Sequence, residues 1–279
     1  MPYLQVSGER KIYYAEEGSG QPVIFIHGWK ASSNVYEIPS HILVQKGNYR
    51  CIRYDQCGHM RSDVPANDPT LSTLAEDLHE LINQLNLKKP ILVGWSMGGL
   101  TVLEYLRKYG CDDLARVVIV DIAPKNMNTD GWTFGKPGGA KGLESAKQEA
   151  LLLKENPKEF LRIYYGRSIP GFPQKTPDEQ NEIIRQRLEG HHPKVLASLW
   201  LEIRRSDYLT LLPRITCPVA VFHAGILPSC SAGAAQYYKE HIPGPVRTVL
   251  FENNSHGLIS ENAPRFVAEL LSFFTWDEK

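Results

Sequence analysis

The run Val93-Gly94-Trp95-Ser96-Met97-Gly98-Gly99 decides how this chain is read. It ends a short apolar stretch at 91–95 and opens a helical pattern at 97–109. A serine with glycines two residues before and two residues after it fits a sharp strand-to-helix turn. Such a turn strains the serine backbone and brings neighbouring backbone so close that a Cβ at either glycine would intrude. The helix that follows points its free N–H groups and the positive end of its dipole at the serine. Negative charge developing beside Ser96 would be stabilised there, so Ser96 is expected to be a nucleophile.

Outward from this turn the same alternation continues. Short runs rich in β-branched residues at 3–6, 11–15, 23–26, 49–54, 117–120, 219–222 and 246–251 read as further strands. Helical spacing recurs at 71–85, 232–241 and 263–274. Strands alternating with helices imply an α/β protein with a mostly parallel sheet covered on both faces and ligands at the carboxyl ends of the strands. The segment 125–213 is different. It is Gly/Pro/Lys-rich at 131–142 and then helical at 143–154, 157–165, 177–188 and 193–205, with no credible strand. The expected organisation is a core at 1–124, an inserted all-helical cap at 125–213, and the rest of the core at 214–279.

The 279 residues suffice for one large α/β domain whose core needs no disulfide or metal. The 31 Lys+Arg balance 31 Asp+Glu, so no net field attracts nucleic acid or an anionic membrane. The uncharged stretch 215–238 is long enough to span a bilayer, but Pro218, Pro228, Gly225 and Gly233 break it into short pieces. Five scattered cysteines without a C-x-x-C pair argue for free thiols in a reducing compartment. Glu9, Arg10 and Lys11 interrupt any apolar leader, so a cytoplasmic location is the expectation. No cluster has metal-ligand spacing, no dinucleotide or Walker loop is present, and no cofactor is expected.

Two further motifs join the serine turn. Ile26-His27-Gly28-Trp29 follows the third strand run, and Asp55-Gln56-Cys57-Gly58-His59-Met60-Arg61-Ser62 follows the fourth. With these the chain resembles the α/β-hydrolase superfamily over nearly its whole length. The resemblance implies an eight-stranded, mostly parallel sheet and an oxyanion hole built from the backbone N–H groups of Trp29 and Met97. In the second motif Cys57 replaces the family's usual Arg and Met60 its second Gly, and His59 is expected to be a structural loop residue.

A serine hydroxyl needs a neighbouring imidazole to attack at neutral pH. Among nine histidines, His256 lies just beyond the last strand run, on the edge of the sheet that Ser96 occupies, and His223 is the runner-up. Most members of the superfamily carry the acid after the penultimate strand. Here that turn reads Ala224-Gly225-Ile226-Leu227-Pro228-Ser229, and no Asp or Glu lies between Asp207 and Glu240. Asp121, at the end of 117–120, is the alternative, and it keeps the order Ser, Asp, His. A minority of the superfamily resembles this arrangement.

Ser96, His256 and Asp121 with an oxyanion hole suit acyl transfer to water, with an acyl-enzyme of a small ester or lactone. Trp132, Tyr164 and Trp200 in the cap, with Trp95 beside the serine, suggest an apolar or aromatic substrate. Two other readings stand beside this one. Cofactor-independent ring-cleaving dioxygenases of the 3-hydroxy-4-quinolone type share the fold, and their oxyanion loop resembles Gly28-Trp29 followed by Val35-Tyr36, which would put Tyr36 near the substrate. Their elbow carries a second His beside the Ser, whereas this chain reads Trp95-Ser96-Met97. A non-catalytic small-molecule receptor on the same fold is the third reading.

Overall fold

Val23, Ile24, Phe25 and Ile26 are all fully buried, which a strand can be only when both faces of its sheet are covered. In a computed structural model, which describes residues 3–136, 139–169 and 171–276, they belong to an eight-stranded sheet. Residues 137–138 and 170 of the expected cap, and 1–2 and 277–279 of the expected core, lie outside the described residues. The strands are β1 (Tyr3–Val6), β2 (Arg10–Gly18), β3 (Gln21–Ile26), β4 (Tyr49–Tyr54), β5 (Ile91–Trp95), β6 (Arg116–Val120), β7 (Val219–Ala224) and β8 (Val246–Phe251). Their order is β1-β2-β4-β3-β5-β6-β7-β8, antiparallel through β4 and parallel from there on. The expected α/β-hydrolase architecture is therefore the observed one.

Alternate residues of the central strands feed two cores. Ile24, Ile26 and Leu92 face one side, where α2 (Leu71–Gln84), α3 (Met97–Tyr109) and α8 (Ala232–His241) bury Leu74, Leu78, Leu100 and Tyr238. Val23, Phe25 and Val93 face the other, where α1 (Glu37–Lys46) and α10 (Ala263–Phe274) bury Leu43, Phe266 and Phe273. Helix α1 is absent from the sequence reading, because Pro39 interrupts its first turn and the polar Ser40 is buried while Ile38 is exposed.

Four helices lie between β6 and β7: α4 (Gly139–Glu155), α5 (Pro157–Ser168), α6 (Pro177–Leu188) and α7 (Pro193–Arg205). Proline at the first position of α5, α6 and α7 fixes a helical φ where no N–H partner is needed. Thr176 and Glu179 form a capping box at the start of α6. These helices share a core of their own around Leu153, Phe160, Phe172 and Leu196. The short α9 (Leu258–Glu261) precedes α10. Among the described residues no helix is long and apolar enough to cross a membrane. All five cysteines are buried free thiols.

Candidate active site

Ser96 occupies the turn between β5 and α3 with φ +54° and ψ −121°. A serine before a helix ordinarily caps it, but this backbone turns the hydroxyl away, and it makes no capping bond. The turn is possible because α3 presses on the end of β3. A Cβ on Gly98 would lie 2.1 Å from the carbonyl oxygen of Ile26. The same approach brings Gly28 beside the serine, where an added Cβ would meet Ser96 Cβ at 3.1 Å. The loop that bears Trp29 thus adjoins Ser96. Among the described residues the Trp29 amide has no hydrogen-bond partner. Met97, the first residue of α3, starts the helix and so has no intrahelical acceptor for its amide.

The structure brings Ser96, His256 and Asp121 together across long stretches of sequence. His256 Nε2 lies 3.0 Å from Ser96 Oγ, and His256 Nδ1 lies 2.6 Å from Asp121 Oδ2. Asp121 is fully buried at the end of β6, also at positive φ. Its carboxylate accepts the backbone N–H groups of Ala224, Ser229 and Cys230 at 3.1–3.2 Å. Burial pushes its pKa up, but the hydrogen bond and charge of His256 and these amides outweigh burial and hold it below the ordinary carboxyl value. The turn that lacks an acid in the sequence therefore supplies the donors for the acid on the neighbouring strand.

The loop that carries His256 is held from two sides. The Trp95 indole N–H donates to the carbonyl of His256 at 2.8 Å. Glu261 accepts the amide of Ser255 at 2.8 Å, as well as the hydroxyl of Ser255, and bonds neither ring nitrogen of His256. His223, on β7, is buried, and its Nδ1 has no partner; burial lowers its pKa.

A buried network that the sequence reading missed ties the Trp29 loop to α3. Gln56 donates its amide side chain to the His27 carbonyl at 2.7 Å and its backbone N–H to His27 Nε2 at 2.9 Å. Thr101 donates to Gln56 Oε1 at 2.8 Å from one turn into α3. His27 and Gln56 sit inside the two recognisable motifs, but only the fold places Thr101 against them.

The aromatic residues divide. Trp29 packs against Trp200 at 5.0 Å, Tyr164 at 5.9 Å and Phe160 at 6.2 Å between ring centres, joining the loop after β3 to α5 and α7. Phe160, Tyr164 and Trp200 line a cavity of about 280 Å³, with Leu152, Glu149 and Arg167 on its other walls. Trp132 and Tyr36 correct the expectation. Trp132 is buried edge-on against Phe134 and Tyr237 of α8, and its indole N–H donates to Lys125, so it packs the core instead of the Trp29 group. Tyr36 is fully buried beneath the sheet against Phe25 and Phe266, with its hydroxyl on the Ile26 carbonyl, so it supports the loop from below. Both rings were placed by the apolar surface they must bury, which outweighs their proximity in sequence to site residues.

A mostly parallel sheet, covered on both faces and carrying a serine on a strained turn against a histidine and a buried aspartate, defines a class of α/β proteins. The chain belongs to the alpha/beta hydrolase fold family, whose model matches residues 21–263. It is 28% identical to a non-heme haloperoxidase of Rhodococcus erythropolis, over 98% of this chain and 99% of that protein. Among solved structures it is similar to the esterase EaEST of Exiguobacterium antarcticum, with TM-score 0.82, 27% identity, and 98% and 99% of the two chains covered. It is also similar to a bromoperoxidase of Bacillus anthracis, with TM-score 0.80, 27% identity and 97% of each chain covered.

Proposed function

We propose that this protein is a cytoplasmic serine hydrolase that cleaves a carboxylic ester or lactone of a small, largely apolar or aromatic substrate. The observation that carries the reading is the hydrogen-bonded chain Asp121–His256–Ser96 beside the unpartnered amide of Trp29. Asp121 accepts the proton-bearing Nδ1 and leaves the Nε2 lone pair facing the serine hydroxyl. Ser96 Oγ attacks the carbonyl carbon as its proton passes to His256 Nε2. The amides of Trp29 and Met97 receive the oxygen that becomes negative. His256 then protonates the departing alkoxide, and a water deprotonated by the same imidazole releases the acid.

Segment 125–213 serves as a cap over the site, and the cavity beside Trp29, Tyr164 and Trp200 receives the apolar part of the substrate. No cofactor is required. The name of the Rhodococcus relative favours a second acceptor for the same acyl-enzyme: hydrogen peroxide in place of water would release a peracid.

Reaction with a fluorophosphonate, followed by mass mapping of the adduct, tests the reading. The expected result is rapid labelling of Ser96 that a His256→Ala variant loses. Folded protein left unlabelled while consuming oxygen with a 3-hydroxy-4-quinolone would overturn it in favour of a dioxygenase. Ligand binding without labelling or turnover would overturn it in favour of a receptor.

A further inference from the structure

Lys30 directly follows Trp29, and no carboxylate pairs with it among the described residues. Its Nζ lies 5.0 Å from the ring centre of Tyr165 and 6.0 Å from that of Trp29. Lys30 is half-buried, so an ammonium there without a counter-charge loses part of its hydration, and a buried polar group without a partner is uncommon. Two such groups lie near Lys30. The hydroxyl of Tyr165 is buried without a hydrogen-bond partner, in a residue only 3% exposed. Nδ1 of His191 is buried and unpartnered as well. Arg187, exposed at the end of α6, adds a second cation that no carboxylate pairs among the described residues.

The charges act on one another in the expected sense. Burial and then Arg187 bring the Lys30 amine down to about 7. Burial and then Lys30 bring His191 down to about 3. One anionic oxygen pair between these groups would give the ammonium its counter-charge and the phenol its acceptor. No acidic side chain of the described chain supplies it.

We propose that Lys30 and Tyr165, with Arg187 at the mouth, form a subsite for a carboxylate carried by the substrate at the end remote from the scissile bond. This rests on Ser96 being the nucleophile, since Lys30 is placed relative to the substrate through its neighbour Trp29. It deepens the substrate class to a monoanionic ester or lactone: an apolar body against Trp29, Tyr164 and Trp200, with one carboxylate beyond it. His191 carries little positive charge and contributes a hydrogen-bonding nitrogen only.

Calorimetric titration of a Ser96→Ala variant, which binds without turning over, compares two esters of matched length. Monomethyl adipate carries the carboxylate and methyl hexanoate does not. The subsite predicts at least tenfold tighter binding of the anionic ester. Adding Lys30→Met should abolish that preference, and adding Tyr165→Phe should reduce it severalfold while leaving the neutral ester unchanged. Thermal melts confirm that each variant is folded, and Tyr165→Phe keeps the test decisive should Lys30→Met fail to fold. Equal binding of the two esters, or a preference that survives both substitutions, would overturn the subsite. Binding of acetate that requires Lys30 without any preference between the esters would overturn its role in substrate recognition. Because no turnover is needed, failure here is distinct from failure of fluorophosphonate labelling in the wild type.

Discussion

Asp121 Oδ2 accepts the backbone N–H of Ser229 at 3.1 Å, so the turn after β7 binds the acid instead of carrying it. With Ala224 and Cys230 donating to Oδ1, the carboxylate is fixed by three amides before His256 is considered. An acid on β6 can thus be presented to the imidazole as rigidly as one borne by the β7 turn itself.

Replacing Asp121 with Asn keeps the shape but offers His256 Nδ1 either an N–H donor or a weaker acceptor. The proton then no longer belongs on Nδ1, and kcat should fall by about 10³–10⁴, as when a triad loses its acid. Steady-state hydrolysis of an activated aryl ester measures this. A loss below tenfold would remove Asp121 from the reaction.

The same carboxylate makes stability depend on acid. Its folded pKa is depressed, so the unfolded state takes up its proton first as pH falls. The contribution is fully present above the unfolded carboxyl value of about 3.9 and is lost as pH falls through the folded value. Urea unfolding between pH 3 and pH 7 should show the wild type losing stability on the acid side more steeply than Asp121→Asn.

Lys30 gives the opposite side of the pH scale. Its folded value of about 7 lies below the ordinary 10.5, so between these values the unfolded state holds the extra proton. Stability therefore rises with pH across that window, by at most about 1.4 kcal/mol per pH unit. Lys30→Met lacks this gain, so the wild type should improve relative to the variant from pH 7 to pH 9. Parallel stability curves in urea would refute it.

Gly98→Ala directs a methyl group to within 2.1 Å of the Ile26 carbonyl, and backbone on both sides must yield. Overpacking of this kind costs on the order of 1–3 kcal/mol or more. Because the shift moves Met97 relative to Trp29, fluorophosphonate labelling should slow more than tenfold even where the variant folds.

Trp200 shares a wall with Tyr164 and donates its indole N–H to Glu149 at 3.0 Å. Trp200→Ala should cost about 3–5 kcal/mol in thermal or urea unfolding. The enlarged cavity should shift the preferred acyl chain of p-nitrophenyl esters toward longer members, read as a change in kcat/KM across the series. An unchanged preference would place the acyl chain elsewhere.

The sequence by itself determined the sheet, the strained serine turn and the histidine. Each is written in local terms: strand runs of buried residues, glycines flanking Ser96, and a histidine just past the last strand. It also left Asp121 as the acid to expect, because the turn at 224–229 is empty of carboxylates. Local pattern misplaced Trp132 and Tyr36, whose rings went to whichever apolar surface was left to cover, and it missed α1, where Pro39 in the first turn and a buried Ser40 beside an exposed Ile38 blur the period. Only the tertiary structure decided what holds the site. The three amides around Asp121, the Gln56–Thr101 link from the second motif to α3, and the unpaired Lys30 beside Tyr165 all join residues far apart in the chain. Such contacts follow from how strands and helices dock, and docking is set by packing of side chains that no local pattern records.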